Sequence, residues 1–457
     1  MMERRGSILI CVLMLVVSSY MSIFSTAVPF EDKFGKDLED IIPEEQTNIS
    51  WTIPFENLTK FKNRWWERYA NRFGMNESEL EQEWNEWQRK WQERFNETSE
   101  SFKKAWKNAT KNFQKMKQNH SFIGRLNYEN GYCVGNFIKF LFDEGDIVDY
   151  TLIRDENVTV FDFVHISGFA PGEPETHGSV WKVKDSDTTV EIHDNPIALL
   201  KIKAVSSITI DLNLADNIFA SSYKNSSNII KIYGEIEGKI ILAGNGNFTE
   251  ISNDTVSISV DNEGMLLFMA SPLPDVSINV NHQEEYEEKL AEAIKNGKVC
   301  ARLMVQPNNE TDNMIFSDAN ISCNTFKNKI RVILNSSGEG KVVVIDVHED
   351  VLKLSKDIVV TLDNLTIPMA KDYDDILNIE ENETAEYLVL SGANGIQVLV
   401  AIPSFSTHTI EIYASQSPAA PETGEEVKET PGFEIAMVLI SLVAAIILVL
   451  SISKRRY

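Results

Sequence analysis

Between Tyr132 and Tyr413 short runs rich in Val, Ile, Thr and Phe alternate with turns made of Gly, Asn, Asp and Ser. A first set covers Val158 to Ile166, Ser207 to Leu214, Asn228 to Tyr233, Lys239 to Ala243, Thr255 to Val260 and Gly264 to Ala270. A second set covers Lys298 to Val305, Lys329 to Leu334, Gly340 to Val347, Asp357 to Leu362, Glu386 to Ser391, Ile396 to Ile402 and Thr407 to Tyr413. β-Branched and aromatic residues suit a pleated surface, and regular turn signals predict antiparallel sandwiches or a stacked β-solenoid. Glu284 to Lys295 is a lone helical stretch between the sets, stopped by Asn296-Gly297. His193-Asp194 with Leu199-Leu200-Lys201 and Ile208 to Leu212 echoes His348-Glu349 with Leu352-Lys353-Leu354 and Ile358 to Leu362. That echo suggests two related β-rich domains, 128–275 and 276–414.

The stretch 55–125 has a different texture, rich in Trp, Phe, Lys, Arg and Glu. It predicts a helical hairpin. One helix runs from about Phe55 to Phe73 and stops at Gly74; the other opens on the Ser-x-x-Glu capping box Ser78 to Glu81. In the second helix Leu80, Trp84, Trp87, Trp91, Phe95, Phe102, Trp106, Ala109, Phe113 and Met116 recur at three- and four-residue steps. At about 100° per residue they fall within roughly 40° of one line, while Asn96 and Asn108 lie about 120° away. Such a stripe packs on itself or on a neighbouring domain, or else forms a binding face for a helix or carbohydrate. Lys103, Lys104, Lys107, Lys111, Lys115 and Lys117, with no acid among them, form a solvated face or a dock for acidic neighbours or anionic lipid.

The two ends carry addresses. Arg4 and Arg5, an apolar core from Ile8 to Val17 and the exit Ser25-Thr26-Ala27 read as a signal peptide over 1–27, followed by a segment at 28–54. At the other end, Pro431-Gly432-Phe433 precedes an apolar run from Ile435 to Ile452, then Lys454, Arg455 and Arg456. A run of about 18 apolar residues is a transmembrane helix candidate, and the basic cluster holds its end inside the cell. The order of motif, helix and basic tail over 431–457 resembles the PGF-CTERM sorting signal of archaeal surface proteins. The resemblance implies that an archaeosortase-type enzyme cuts at Pro-Gly-Phe, removes the helix and passes the new C-terminus to a membrane lipid. Ahead of the motif, the acidic Pro-containing stretch 415–430 reads as an extended tether of up to roughly 50 Å.

Fifteen Asn-x-Ser/Thr sequons occur: Asn48, Asn57, Asn76, Asn96, Asn108, Asn119, Asn157, Asn225, Asn247, Asn253, Asn309, Asn320, Asn335, Asn364 and Asn382. All lie between the two terminal signals, and surface proteins of the resembled kind are glycosylated at this sequon. The formal net charge of −25 excludes nucleic acid as an expected partner, since phosphate binding needs a basic face. Of the cysteines, Cys11 leaves with the signal peptide. Cys300 and Cys323 are expected to pair in an oxidising compartment, leaving Cys133 free or bonded to another chain.

No elbow, P-loop, dinucleotide fingerprint or His-Glu-x-x-His helix is present. His165, His177 and His193 share a region with Asp162, Glu173, Glu175 and Asp194, and a metal site would need the fold to gather them. The spacing matches no metal motif, so no catalytic, cofactor or metal residues are assigned. The expectation is a mainly β ectodomain behind a helical hairpin, held at the archaeal cell surface by its C-terminus. Its role is structural, adhesive or associated with surface-layer proteins and glycans. The alternative is an anchored hydrolase acting on glycans or peptides.

Overall fold

The computed structural model describes residues 76–414, apart from 224–225, 253, 273–282, 338, 353–357, 379–383, 393 and 405. The expected signal peptide, first helix (55–73), tether, Pro-Gly-Phe motif and apolar tail therefore lie outside the described residues. Among those described, no helix is long and apolar enough to cross a membrane. The chain divides into two compact units at Gln92/Glu93.

In the first unit helix α1 (Glu77–Glu97) begins, and Trp84 stacks on Trp87 with ring centroids 5.0 Å apart. The helix does not open on Ser78. Asn76 Oδ1 accepts the backbone N–H groups of Ser78 and Glu79, and Asn76 N donates to Glu79 Oε2. This is the reciprocal geometry of a capping box, set two residues earlier by an Asn in place of the Ser.

In the second unit the expected single helix is instead three segments. Helix α1 ends at Glu97, α2 (Glu100–Lys107) restarts with Ser99 Oγ accepting from Phe102 N, and α3 (Ala109–Gln118) follows a break at Asn108. At Ser99 the side chain takes a backbone partner, which favours the break; at Asn108 no side-chain cap hydrogen bond forms. The aromatic stripe survives them. Phe95 and Trp106 meet the ring of Tyr132 at 5.2 and 5.5 Å, and Phe113 meets Phe137 at 6.0 Å. In this unit the stripe is thus packed onto the β-structure and is not a free binding face.

Among the described residues the body is mainly β, in four sheets. The first has the order β1 (Asn127–Glu129), β2 (Tyr132–Val134), β3 (Ile138–Asp143), β4 (Asp146–Leu152), β5 (Val158–Ile166), β10 (Ile208–Leu214), β15 (Thr255–Val260), β14 (Gly246–Ile251). The second has the order β11 (Ile218–Tyr223), β12 (Ser226–Gly234), β13 (Gly238–Ala243), β16 (Met265–Ala270), β9 (Leu200–Ala204), β8 (Thr188–His193), β7 (Val180–Lys184), β6 (Glu175–His177). They face each other across interlocked rings: Phe161 lies 4.8 Å from Phe268, and Phe140 and Phe142 lie 5.1 and 4.9 Å from Trp181.

The third sheet runs β18 (Glu310–Ile315), β17 (Val299–Gln306), β21 (Glu339–His348), β25 (Gly395–Ser404), β24 (Glu386–Ser391). The fourth runs β19 (Ala319–Phe326), β20 (Lys329–Ser336), β26 (Thr407–Ala414), β22 (Ile358–Leu362), β23 (Leu365–Thr366). Val343, Ile345 and Val347 of β21 share a core with Val332, Leu334, Ile410 and Ile412 of the fourth sheet, so these two sheets also form a sandwich. The two sandwiches are not copies of each other. One has two eight-stranded sheets and the other two five-stranded sheets, and β21 pairs with β17 in parallel whereas β8 has antiparallel neighbours on both sides.

Helix α4 (Gln283–Lys295) joins them. Leu290 and Ile294 lie in one cluster with Ile241 and Leu267 of the second sheet and Val342 and Val344 of the third. These two sheets are covered on both faces at their centre, which is why β16 and β17 are buried at nearly every position, while β20 alternates buried and exposed over one wet face. The helix stops as its sequence predicts. Gly297 takes φ +71° and donates to Ile294 O, while Lys298 N reaches Ala293 O, a left-handed terminus that favours Gly.

Candidate functional site

A buried polar cluster sits where strand β8 ends, at the junction of the sandwiches. The carboxylate of Asp312, on β18, lies between His193 Nδ1 at 2.6 Å and Asn195 Nδ2 at 2.8 Å, and all three side chains are buried. Asp194, between them in sequence, turns the other way into the first sandwich. Its carboxylate accepts the backbone N–H groups of Asn136 and Phe137 at 2.7 Å and of Ile138 at 3.1 Å. Gly124 and Gly135 make room for it, since a Cβ at either would stand 2.0 or 2.4 Å from the carboxyl group.

Burial pushes the Asp194 carboxyl up to about 7 from its ordinary 3.8, against the pull of those three N–H donors. The folded chain then keeps a proton at Asp194 that the unfolded chain has released between about pH 4 and 7. This group's contribution to stability is full below about pH 4 and is lost as pH rises through about 7. The unfolding free energy of wild type minus that of Asp194→Asn is therefore expected to fall as pH rises from 4 to 8. Urea titrations at several pH values check this, and a flat difference would refute it.

A second buried network flanks α4. Asp346 on β21 receives Arg302 Nε of β17 at 2.5 Å and Gln397 Nε2 of β25 at 2.7 Å, and Tyr286 OH donates to Gln397 Oε1. Burial pulls Arg302 down, but the Asp346 carboxylate outweighs it and holds the guanidinium above its ordinary value. Burial raises the Tyr286 phenol well above its usual range. Lys239 and Ser271 both bond Glu287 Oε2 beside it, at 3.1 and 2.9 Å. These groups are satisfied by each other across strands and helix, so the arrangement locks the junction. His193 Nε2 is the exception in these networks: it is buried without a hydrogen-bond partner.

The histidines noted in the sequence do not converge. His165 pairs with Asp146 at 2.6 Å on the first sheet, exposed His177 lies 3.8 Å from Glu175, and His193 is taken by Asp312. Among the described residues no group of three or more His, Cys, Asp or Glu side chains is placed to hold a metal ion. The expected Cys300–Cys323 disulfide is absent, and Cys133, Cys300 and Cys323 are free thiols. Cys300 and Cys323 belong to opposite sheets of the second sandwich, and Cys300 Sγ is turned to Val342 O of its own sheet at 3.5 Å.

Of the sequons, Asn48, Asn57, Asn225, Asn253 and Asn382 lie outside the described residues. Asn76, Asn96, Asn119, Asn247, Asn309, Asn320, Asn335 and Asn364 are exposed, and Asn108 and Asn157 are half-buried. The buried asparagines Asn195, Asn213 and Asn394 carry no sequon. Asn309 Oδ1 accepts from Thr325 N and Oγ1, and Asn157 Oδ1 accepts from Thr110 Oγ1. The nitrogen that would carry a sugar is not the bonded atom.

Sequence reading missed Asp312, Arg302, Asp346 and Gln397. A signal for three of them was present: each interrupts an otherwise apolar strand, in VCARLMVQ, KVVVIDVH and GIQVLVAI. A polar residue inside a strand buried on both faces requires a partner.

No protein-family model matches the chain, and no curated protein matches it. Among solved structures, a glycoside hydrolase family 81 enzyme from Clostridium thermocellum superposes with a TM-score of 0.33 at 9% identity, covering 67% of this chain and 40% of that one. A YidC insertase with its first transmembrane domain resolved gives 0.23 at 10% identity, covering 34% of this chain and 42% of that one. The chain spans less than half the length of either protein, and likenesses this low carry no functional argument.

Proposed function

We propose that the chain is an exported glycoprotein held at the cell surface by its C-terminal segment, with a structural or adhesive role beside surface-layer proteins or glycans. The sequon placement carries this reading. Each of the ten sequon asparagines in the described residues is exposed or half-buried, and each buried asparagine lacks the sequon. The anchor is read from residues 431–457, with an archaeosortase-type enzyme and a membrane lipid as its partners. The firmly locked junction suits a protein that transmits load between its anchor and its neighbours.

Peptide mapping by mass spectrometry of protein from native membranes tests both parts. Sugar-bearing peptides are expected at most of these ten positions, with Asn247, Asn320 and Asn335 among them. No peptide should span Phe433 into Val438. Unmodified asparagine at most sequons would remove the glycoprotein reading, and recovery of the spanning peptide would remove the processing step.

A further inference from the structure

A groove of about 280 Å³ lies on the outer face of the second sheet, beside α4. Register builds its floor: Lys231 of β12 stands opposite Ser221 of β11 on one side and Lys239 of β13 on the other. Two residues along, and so on the same face, Phe219 of β11 is directly opposed to Tyr233 of β12. Their ring centroids lie 5.6 Å apart at 35°, and the two residues are 39% and 40% exposed. One step beyond the last β12–β13 pair, Ile232 with Gly238, come Tyr233 and Glu237. Glu237 lines the groove, so the aromatic pair continues the groove at that end.

The polar groups of the groove fall into two kinds. Lys239 Nζ and Ser271 Oγ both bond Glu287 Oε2, at 3.1 and 2.9 Å, which fixes the wall on the α4 side. The carboxylates of Glu237 and Glu288 take no such bond among the described residues. Together Glu237, Glu287 and Glu288 outnumber Lys231 and Lys239 as charges in the groove. An acidic ligand would meet this excess of carboxylate. An apolar helix or peptide face would cover Glu237 and Glu288 without offering them a donor. A hexopyranose suits both halves of the site. Its C–H face packs on aromatic rings, and its rim of hydroxyls donates to carboxylates and accepts from ammonium groups.

We infer that this groove binds a neutral, hexose-containing glycan. Phe219 and Tyr233 pack against a sugar ring, and Glu237 and Glu288 accept hydrogen bonds from its hydroxyls. The inference deepens the adhesive side of the reading above and rests on it: the glycan would be the neighbour to which the anchored chain adheres.

Isothermal titration calorimetry of the full-length protein against cellohexaose, maltohexaose and mannohexaose tests it, with hexagalacturonate as the acidic probe. At least one neutral oligosaccharide is expected to bind, and more tightly than hexagalacturonate. Tyr233→Ala and Phe219→Ala should each weaken that binding by about tenfold, while Tyr233→Phe, which keeps the ring, should retain it. Phe326→Ala removes an aromatic residue of comparable exposure, 49%, from the fourth sheet and should change nothing. Glu237→Gln with Glu288→Gln is a second, nearly isosteric variant that leaves the packing intact; it should also weaken binding, which guards against a folding defect in the alanine variants. No neutral oligosaccharide binding up to about 10 mM would overturn the inference. So would tighter binding of hexagalacturonate, a loss in Phe326→Ala equal to that in Tyr233→Ala, or binding indifferent to both sets of groove variants. Sugar attachment and C-terminal processing are measured separately by peptide mapping, so any of these results leaves the anchored glycoprotein reading standing.

Discussion

Replacing Asp312 with alanine is expected to lower the unfolding free energy by about 3–5 kcal/mol, since one buried acceptor shared by two buried side chains is lost, at about 1–3 kcal/mol for each. The carboxylate is held between His193 Nδ1 and Asn195 Nδ2, so its loss leaves the buried His193 nitrogen without its partner and Asn195 Nδ2 with only the weak acceptor Met314 Sδ at 3.4 Å. Because Asp312 belongs to the second sandwich and the donors to the first, the loss falls on the junction between them. Urea unfolding at neutral pH, followed by tryptophan fluorescence, measures it. Asp312→Asn, which keeps one acceptor but opposes an NH2 to Asn195, should fall between wild type and Asp312→Ala. A loss below about 1 kcal/mol for the alanine variant would show that the junction is held by its apolar cluster alone.

Gly135→Ala should be nearly as damaging, at about 3–5 kcal/mol. The added methyl would meet three atoms of the Asp194 carboxyl group at 2.4 Å. That carboxyl has nowhere to go without giving up its bonds to Asn136, Phe137 and Ile138. Overpacking of this kind costs about 1–3 kcal/mol, and each hydrogen bond given up adds about 0.5–1.5. Gly172→Ala is the matched control, because the nearest atom to its new Cβ is 3.8 Å away and the change should stay within about 0.5 kcal/mol. Thermal or urea unfolding of the two variants gives the comparison. If the clash is the cause, adding Asp194→Ala to Gly135→Ala should cost much less than the two single changes summed. Simple additivity would refute the cradle.

Both sites show why the body was legible in part. Central strands such as β16 and β17 announce themselves as mostly apolar runs, and β20 as an alternation, because burial on two faces or one writes a different period into the chain. The stop of α4 at Gly297 is equally local, since the left-handed turn there lets Gly297 N and Lys298 N donate back to Ile294 O and Ala293 O. Local signals also misled. Ser78-x-x-Glu81 satisfies a capping pattern that Asn76 and Glu79 actually use, and the aromatic stripe runs through Ser99 and Asn108 as though the helix were continuous. Side-chain periodicity records which face is buried and is indifferent to a break that keeps that face in place.

What the chain determines by itself is the mainly β class, the helical entry and the positions of the Asn-x-Ser/Thr sequons. These depend on contacts within a few residues and on short motifs. Only the tertiary structure decides that His193 belongs to Asp312 and not to His165 or His177, that Cys300 and Cys323 stay apart, and that Phe219 stands opposite Tyr233. Each of those facts is set by sheet order and register. The energy that selects them comes from burying segments far apart in the chain, such as β8 against β18, and no local pattern records that choice.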